Sequence, residues 1–146
     1  MARFLGLGPG STPGNGAMTR YVLDSFAWIE FLEGTGLGAQ VRVLIEDEAN
    51  ELFTPATCAA EVVSCAARRG QDARRAAEAI ESGSVVVALD FTLAVTSGRI
   101  HAEKRREKRD FPHGDAAVLA TARALRAKVV TGDPHFRGEP DVHFLE

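Results

Sequence analysis

The sequence predicts an α/β protein in which a mainly parallel sheet has helices on both faces. Short runs of apolar, β-type residues alternate along the chain with longer segments of helical periodicity. This alternation is typical of parallel sheets, because each crossover connection places a helix on a face of the sheet. The chain has 146 residues and no internal repeat, which suits one domain with a sizeable core.

In the first half of the chain, an apolar run that ends at Asp24 predicts a strand over 20–24. Apolar residues then recur at helical spacing as far as Glu33, where a glycine-rich stretch ends the helix. A second amphipathic helix and a short strand follow, and Pro55 favours the first turn of a third helix. The predicted elements after the first helix are a helix over 39–47, a strand over 51–54, and helices over 56–69 and 72–81.

The second half continues the same alternation. The continuous apolar run 85–89 predicts a buried strand, and a long helix over 91–109 follows it. After a loop at 112–114, a run of good helix formers predicts a helix over 115–127. The last predicted elements are a strand over 128–131, a turn at Gly132-Asp133-Pro134 and an edge strand over 142–145.

The N-terminal segment differs in composition from the rest of the chain. Residues 1–18 are rich in Gly, Pro, Ser and Asn and lack the long apolar region of a signal peptide. We interpret them as a flexible tail and residues 19–146 as the domain. Met18 directly precedes the domain and is an alternative starting residue.

Composition limits the classes of function. The net charge is −3, so an anionic partner would need a local basic patch. Cys58 and Cys65 share one predicted helix at a separation of roughly 10 Å, too far for a disulfide. Two free thiols favour a reducing compartment, and we expect a cytoplasmic protein. We expect no membrane segment, because no apolar run approaches spanning length.

Three aspartates lie at predicted strand ends or helix starts: Asp24, Asp115 and Asp133. Each also has a simpler interpretation, because aspartate is a favoured helix N-cap and a common turn residue before proline. In open α/β sheets, however, ligands bind at the carboxyl ends of the strands. Acids gathered there indicate a shared site.

Glu61 lies among small and apolar neighbours, with no basic residue within one helical turn. An unpaired charge in such surroundings is costly, and a cation would offset that cost; the alternative is a glutamate on an exposed helix edge. Clustered carboxylates raise each other's pKa unless a cation intervenes, and oxygen ligands suit Mg²⁺ or Mn²⁺.

Asp90, at the end of the run 85–89, also follows a predicted strand, so the sequence pattern alone does not exclude it from the site.

Four segments in this order, YVLDSFAWIEFL, AEVVS, HGDAAVLATA and VVTGDPHF, resemble PIN-domain ribonucleases, and most closely the VapC toxins of type II toxin–antitoxin modules. The resemblance covers about residues 19–146. It implies a PIN-like three-layer sandwich with a mainly parallel sheet of strand order 3-2-1-4-5. It also implies a Mg²⁺- or Mn²⁺-dependent endoribonuclease with an RNA substrate, a VapB-like antitoxin as partner and a homodimeric state.

By matching motifs, the resemblance assigns the catalytic acids to Asp24, Glu61, Asp115 and Asp133. The three aspartates would hold the ion, and Glu61 would ligate a second ion or orient the water. Thr131 matches a hydroxyl position that supports the site. The implied strand order places Asp90 two strands from the first strand, roughly 10 Å from the site.

Two histidines, His113 and His135, flank two of these acids. We interpret both as loop histidines; a contact with phosphate or an outer-shell role is the alternative.

A basic segment, residues 99–109, holds six of the 17 Lys and Arg residues. Its central residues are candidate RNA contacts, because RNA binding by an acidic protein needs local positive charge. The alternative is a solvated helix face. The candidates are Lys104, Arg105 and Arg106.

The first helix carries more large apolar residues than one buried stripe needs: Phe26, Trp28, Ile29 and Phe31. We therefore expect Trp28 or a neighbour to be exposed in the monomer and covered by an antitoxin or a second subunit. A basic antitoxin side chain could then enter the acidic pocket in place of the cation.

Two other functions remain open at this point. One is a housekeeping PIN-domain nuclease that processes RNA without an antitoxin. The other is a nucleotide-binding α/β module, because the stretch 34–39 matches G-x-G-x-x-A. That stretch follows a predicted helix, whereas the fingerprint needs a strand before it.

Overall fold

The structure of the chain, a computed structural model, describes residues 18–146. Five strands form one sheet in the order β3-β2-β1-β4-β5, and all four strand pairs are parallel. The predicted strand order is therefore confirmed. The predicted tail, residues 1–18, lies outside the described residues except for Met18. The strands are β1 (Thr19–Leu23), β2 (Asn50–Pro55), β3 (Val85–Val87), β4 (Lys128–Thr131) and β5 (Val142–Phe144).

Six α-helices cover the described sheet, and side chains on its two faces form two separate cores. Val22 packs with residues of the last two α-helices, whereas Leu23, the next residue of β1, packs with residues of the first four. This alternation follows from the two-residue period of a strand and confirms the three-layer sandwich. The helices are α1 (Ser25–Glu33), α2 (Gly36–Glu46), α3 (Ala56–Arg68), α4 (Ala73–Gly83), α5 (Phe91–Glu107) and α6 (His113–Leu125).

Two helices begin earlier than the sequence predicts. The hydroxyl of Thr35 accepts the N–H of Gly38, so α2 begins at Gly36. Pro112 occupies the N-cap of α6, and the predicted loop at 112–114 is wrong because His113 and Gly114 are helical. A proline next to a helix start costs little, since the first N–H groups of a helix have no partner within the helix. Asp115 consequently lies in the first turn of α6 rather than at its cap.

The glycine-rich stretch joins two helices. Gly34 has φ +68° and ends α1, and Gly38 allows α2 to approach α1 closely. A Cβ atom at Gly38 would lie 2.1 Å from the carbonyl oxygen of Glu30. The match to G-x-G-x-x-A therefore reflects helix packing, and the strand that the nucleotide-binding fingerprint requires does not precede it.

Trp28 is fully buried, so of the two alternatives in the expectation, Trp28 or a neighbour, only exposure of a neighbour agrees with the structure. Its indole N–H donates to the hydroxyl of Thr54 at 2.9 Å, and its ring packs edge-on against Phe31. α1 packs against the sheet, α2 and α3, and it therefore needs more than one apolar stripe. Among the neighbours of Trp28, Leu32 is 36% exposed.

Both cysteines, Cys58 and Cys65, are buried and free. Among residues 18–146, no helix combines the length and the apolar character needed to cross a membrane.

Candidate active site

The sheet brings two of the predicted acids together at the ends of its central strands. β1 and β4 are neighbours in the sheet, and Leu23 is in register with Val130. The N–H of Asp24 extends this pairing by donating to the carbonyl of Val130 at 3.4 Å. Strand order reverses between β1 and β4, which is the position where open α/β sheets bind ligands.

Asp24 is a helix cap and also a buried acid. Its Oδ1 accepts the N–H of Ala27 at 2.9 Å, so the simpler interpretation as an N-cap of α1 is correct. The side chain is almost inaccessible, and this burial raises the pKa of Asp24 to about 7. Hydrogen bonds from Thr131 and Ala27 oppose the shift, whereas the charges of Asp115 and Asp133 add to it. Capping therefore explains the position of Asp24 but offsets only part of the cost of its buried charge.

Asp115 faces the same region from the first turn of α6. Its Oδ2 atom is buried and has no hydrogen-bond partner. Burial first, and then the charge of Asp133, raises the pKa of Asp115 to about 7. A buried carboxylate oxygen without a donor is costly, and a bound cation would offset that cost.

Asp133 belongs to a short turn after β4. Its Oδ1 accepts the N–H of His135 at 2.9 Å and caps a 3₁₀ turn, Pro134–Phe136. Its own N–H donates to the hydroxyl of Thr131 at 3.0 Å. Thr131 is fully buried at the end of β4 and thus contacts two of the acids through one hydroxyl. The expected turn is confirmed, and the supporting role of Thr131 stays a prediction.

Asp24, Asp115 and Asp133 form what we call the acidic cluster. The ring of His135 lies beside two of these carboxylates. Its Nδ1 is 3.0 Å from Oδ1 of Asp133 and 3.4 Å from Oδ2 of Asp115. Neither contact has hydrogen-bond geometry, and Nδ1 is buried without a partner. Its Nε2 lies 3.1 Å from Oδ2 of Asp110, and this hydrogen bond is the main cause of a raised His135 pKa. The interpretation as a loop histidine missed this contact, because the local sequence does not reveal that the ring reaches Asp110.

Glu61 reaches the rim of the cluster from α3. The residue is exposed, as its simpler interpretation predicted, and its Oε2 accepts the hydroxyl of Ser25 at 3.0 Å. A Cβ atom at Gly114 would lie 3.1 Å from Oε1 of Glu61, which places the carboxylate against the start of α6. Its charge also raises the pKa of Asp115. The glycine before Asp115 thus leaves room for a fourth acid.

These residues fit a divalent cation. Asp115, Asp133 and His135 each offer one ligand atom, and these atoms lie within 4.8 Å of one another. Oδ2 of Asp115 and Nδ1 of His135 are buried without hydrogen-bond partners, and two carboxyl groups of the acidic cluster have a pKa of about 7. A bound cation would satisfy these atoms and favour the ionised carboxylates.

Asp90 lies outside this cluster. It caps α5, where its Oδ1 accepts the N–H of Leu93 at 2.8 Å. It follows β3, and β2 separates β3 from β1 in the sheet. The strand order that excluded Asp90 from the site is the order observed.

The three basic candidates on α5 have different surroundings. Lys104 forms an ion pair with Glu139, and its side chain is only 17% exposed. Arg105 and Arg106 are exposed. The hydrogen bond with His135 is the main cause of a lowered Asp110 pKa, and the charge of nearby Arg105 adds a smaller effect. The exposed part of the basic segment therefore borders the acidic cluster.

A family model described as PIN domain matches residues 21–138. Among solved structures, a toxin–antitoxin complex from Klebsiella pneumoniae is 21% identical, has a TM-score of 0.71, and covers 86% of this chain and 98% of its own. The toxin VapC20 of Mycobacterium tuberculosis, which cleaves the sarcin–ricin loop, is 18% identical, with a TM-score of 0.70 and coverage of 86% and 99%.

A DNA-bound VapBC2 from Rickettsia felis is 14% identical, with a TM-score of 0.67 and coverage of 88% and 98%. At these identities the similarity shows a shared fold. No curated protein matches the chain.

We predict that Asp24→Asn stabilises the metal-free protein more at pH 8 than at pH 5. The pKa of Asp24 is about 7 in the folded protein, whereas the usual pKa of an aspartate, which applies to the unfolded chain, is 3.8. As the pH rises, the unfolded chain therefore loses this proton at a lower pH than the folded protein does. The free energy of unfolding of the wild type consequently falls as the pH rises from about 4 to 7. An amide oxygen still accepts the N–H of Ala27 but carries no charge.

Urea unfolding in EDTA at both pH values measures this difference. Asp90→Asn changes another helix cap outside the cluster and controls for altered capping. An Asp24→Asn protein that differs from the wild type equally at pH 5 and pH 8 would contradict the prediction.

Proposed function

Because this chain belongs to the PIN-domain family, we propose that it is a metal-dependent endoribonuclease and the toxin of a VapBC-type toxin–antitoxin pair. The observation that carries this proposal is the convergence of Asp24, Asp115 and Asp133 at the junction of β1 and β4. Burial and mutual repulsion leave two of these acids in need of a cation. The similar toxin structures share this fold.

In this proposal Asp24, Asp115 and Asp133 hold Mg²⁺ or Mn²⁺. A bound divalent ion supplies an activated water and stabilises negative charge on the phosphate and on the leaving 3′-oxygen. Thr131 positions the acids, because its hydroxyl contacts both Asp24 and the backbone of Asp133. Glu61, held by the hydroxyl of Ser25, orients the attacking water or ligates a second ion.

We propose that the exposed side of α5 binds the RNA substrate next to the acidic cluster. Arg105 and Arg106 are exposed there, and the charge of Arg105 acts on Asp110 at the edge of the cluster. Lys104 contributes less, since Glu139 already neutralises its charge. Such a local patch offsets the repulsion between RNA and a protein of net charge −3.

The proposed partner is a VapB-like antitoxin, and the proposed assembly contains a homodimer of this chain. Several similar structures contain a toxin with its antitoxin. In this chain, a groove of about 480 Å³ lies between α1, α2 and α4 and includes Leu32 and Arg42. Because Trp28 is buried, this groove is the proposed surface for the partner. Two free cysteines support a cytoplasmic location.

We predict that Asp24→Asn, Asp115→Asn and Asp133→Asn each lower the rate of RNA cleavage by at least about 100-fold while the fold is retained. Losses of this size are usual when a group that stabilises the transition state is removed. Cleavage of a labelled RNA in Mg²⁺ or Mn²⁺, together with circular dichroism, checks both parts.

Asp90→Asn is the matched control, because Asp90 also caps a helix after a strand but lies outside the cluster. It should cleave RNA at the wild-type rate. Undiminished cleavage in EDTA, or equal losses in the Asp90 variant, would count against the metal site.

We predict that Arg105→Glu and Arg106→Glu weaken RNA binding and reduce its dependence on salt. Each lost phosphate contact should lower the slope of log affinity against log salt by about 0.7 for single strands. Fluorescence anisotropy with the Asp24→Asn protein measures binding without cleavage.

Arg42→Glu is the control, because α2 lies on the opposite face of the sheet from α5. The same slope in the α5 variants and in the wild type would identify these residues as a solvated helix face.

We predict that expression of the wild-type chain alone arrests bacterial growth and that the Asp24→Asn chain is harmless. The physical reason is that uncontrolled hydrolysis of cellular RNA requires the acids but no partner. Growth curves after induction measure the effect. Free growth with soluble, RNA-cleaving wild-type protein would favour the housekeeping nuclease instead.

A further inference from the structure

The two ring nitrogens of His135 have different environments. Nε2 is held by the carboxylate of Asp110 at 3.1 Å. Nδ1 is buried, has no hydrogen-bond partner and lies 3.0 Å from Asp133 and 3.4 Å from Asp115. The side chain of His135 is 28% exposed, so the ring stands at the wall of the cluster with one nitrogen directed inward.

This arrangement is common among histidines that bind metals. A ligating imidazole usually donates its other N–H to a carboxylate, which fixes the tautomer and the ring orientation. Asp110 occupies that outer position here. It is mostly exposed, with 82% of its side-chain surface accessible, and the described structure gives it one side-chain contact, with His135.

An ion pair between His135 and the acids explains the geometry less well. A protonated imidazole would direct its Nδ1–H at one carboxylate oxygen. Instead, Nδ1 approaches oxygens of two different aspartates, and neither contact has hydrogen-bond geometry. Three potential ligand atoms that lie within 4.8 Å of one another without bonding one another fit ligands of a shared ion.

We propose that Nδ1 of His135 is a metal ligand, and that this nitrogen makes the site favour Mn²⁺ and other first-row transition ions over Mg²⁺. The inference rests on the proposed metal-dependent function and specifies the ligand set of that site. Mg²⁺ prefers oxygen ligands, whereas imidazole suits transition ions, whose affinities for mixed nitrogen and oxygen sites increase from Mn²⁺ to Cu²⁺.

Pulsed electron paramagnetic resonance of bound Mn²⁺ tests the ligand directly, because a coordinated imidazole gives a ¹⁴N coupling. We expect this coupling in the wild-type protein and its loss in His135→Gln. His113→Gln is the matched control, because His113 stacks on His101 at 3.6 Å and is not one of the three grouped ligands. The control should retain the coupling.

Isothermal titration calorimetry provides a second readout. The preference for Mn²⁺ over Mg²⁺ should fall about tenfold or more in His135→Gln, and His135→Asp should bind Mg²⁺ at least as well as the wild type. Asp110→Asn should weaken Mn²⁺ binding by roughly 10- to 100-fold, as is usual for an outer carboxylate, yet retain the ¹⁴N coupling.

The outcomes separate this inference from the proposed function. Bound Mn²⁺ without a ¹⁴N coupling, or a coupling that persists in His135→Gln, overturns the role of His135 and leaves a metal-dependent nuclease intact. If the wild-type protein binds neither Mn²⁺ nor Mg²⁺, both the inference and the metal-dependent function are wrong.

Discussion

Repulsion among carboxylates that the fold brings to one edge of the sheet is the constraint on which this structure depends. The hydrogen bonds between β1 and β4 fix Asp24 beside the turn that carries Asp133, and α6 adds Asp115. Helix capping and the Thr131 hydroxyl offset part of the cost, but two pKa values of about 7 show that a large part remains. A rigid sheet holds the acids together, and a bound cation would offset the repulsion between their charges.

Much of the site could be predicted because its parts are local in sequence. Apolar runs that end at Asp24 or shortly before Asp133 show where strands stop, and the carboxyl ends of parallel strands share an edge. The strand order came from the resemblance to PIN domains rather than from periodicity. That order, in turn, separated Asp90 from an otherwise equivalent pattern, because β2 lies between the two strands.

The features that could not be predicted depend on contacts between distant parts of the chain. Trp28 is buried because α1 packs against both the sheet and α2. Lys104 is paired with Glu139, 35 residues away, so a basic run in the sequence is not a uniform basic surface. His135 joins the acids because the turn after β4 brings its ring towards Asp110 and Asp115, which spacing alone does not reveal.

Gly38 lies outside the acidic cluster, yet its packing should restrict which residues can replace it during evolution. The carbonyl of Glu30 occupies the space that a Cβ atom would need, whereas Gly36, two residues earlier, faces open space. Because backbone rather than a movable side chain causes the clash, every substitution at Gly38 would force α1 and α2 apart. Across descendants of this chain, Gly38 should persist as strictly as an active-site acid while Gly36 drifts. Invariance at Gly38 would therefore record how closely two helices pack, not what the protein binds.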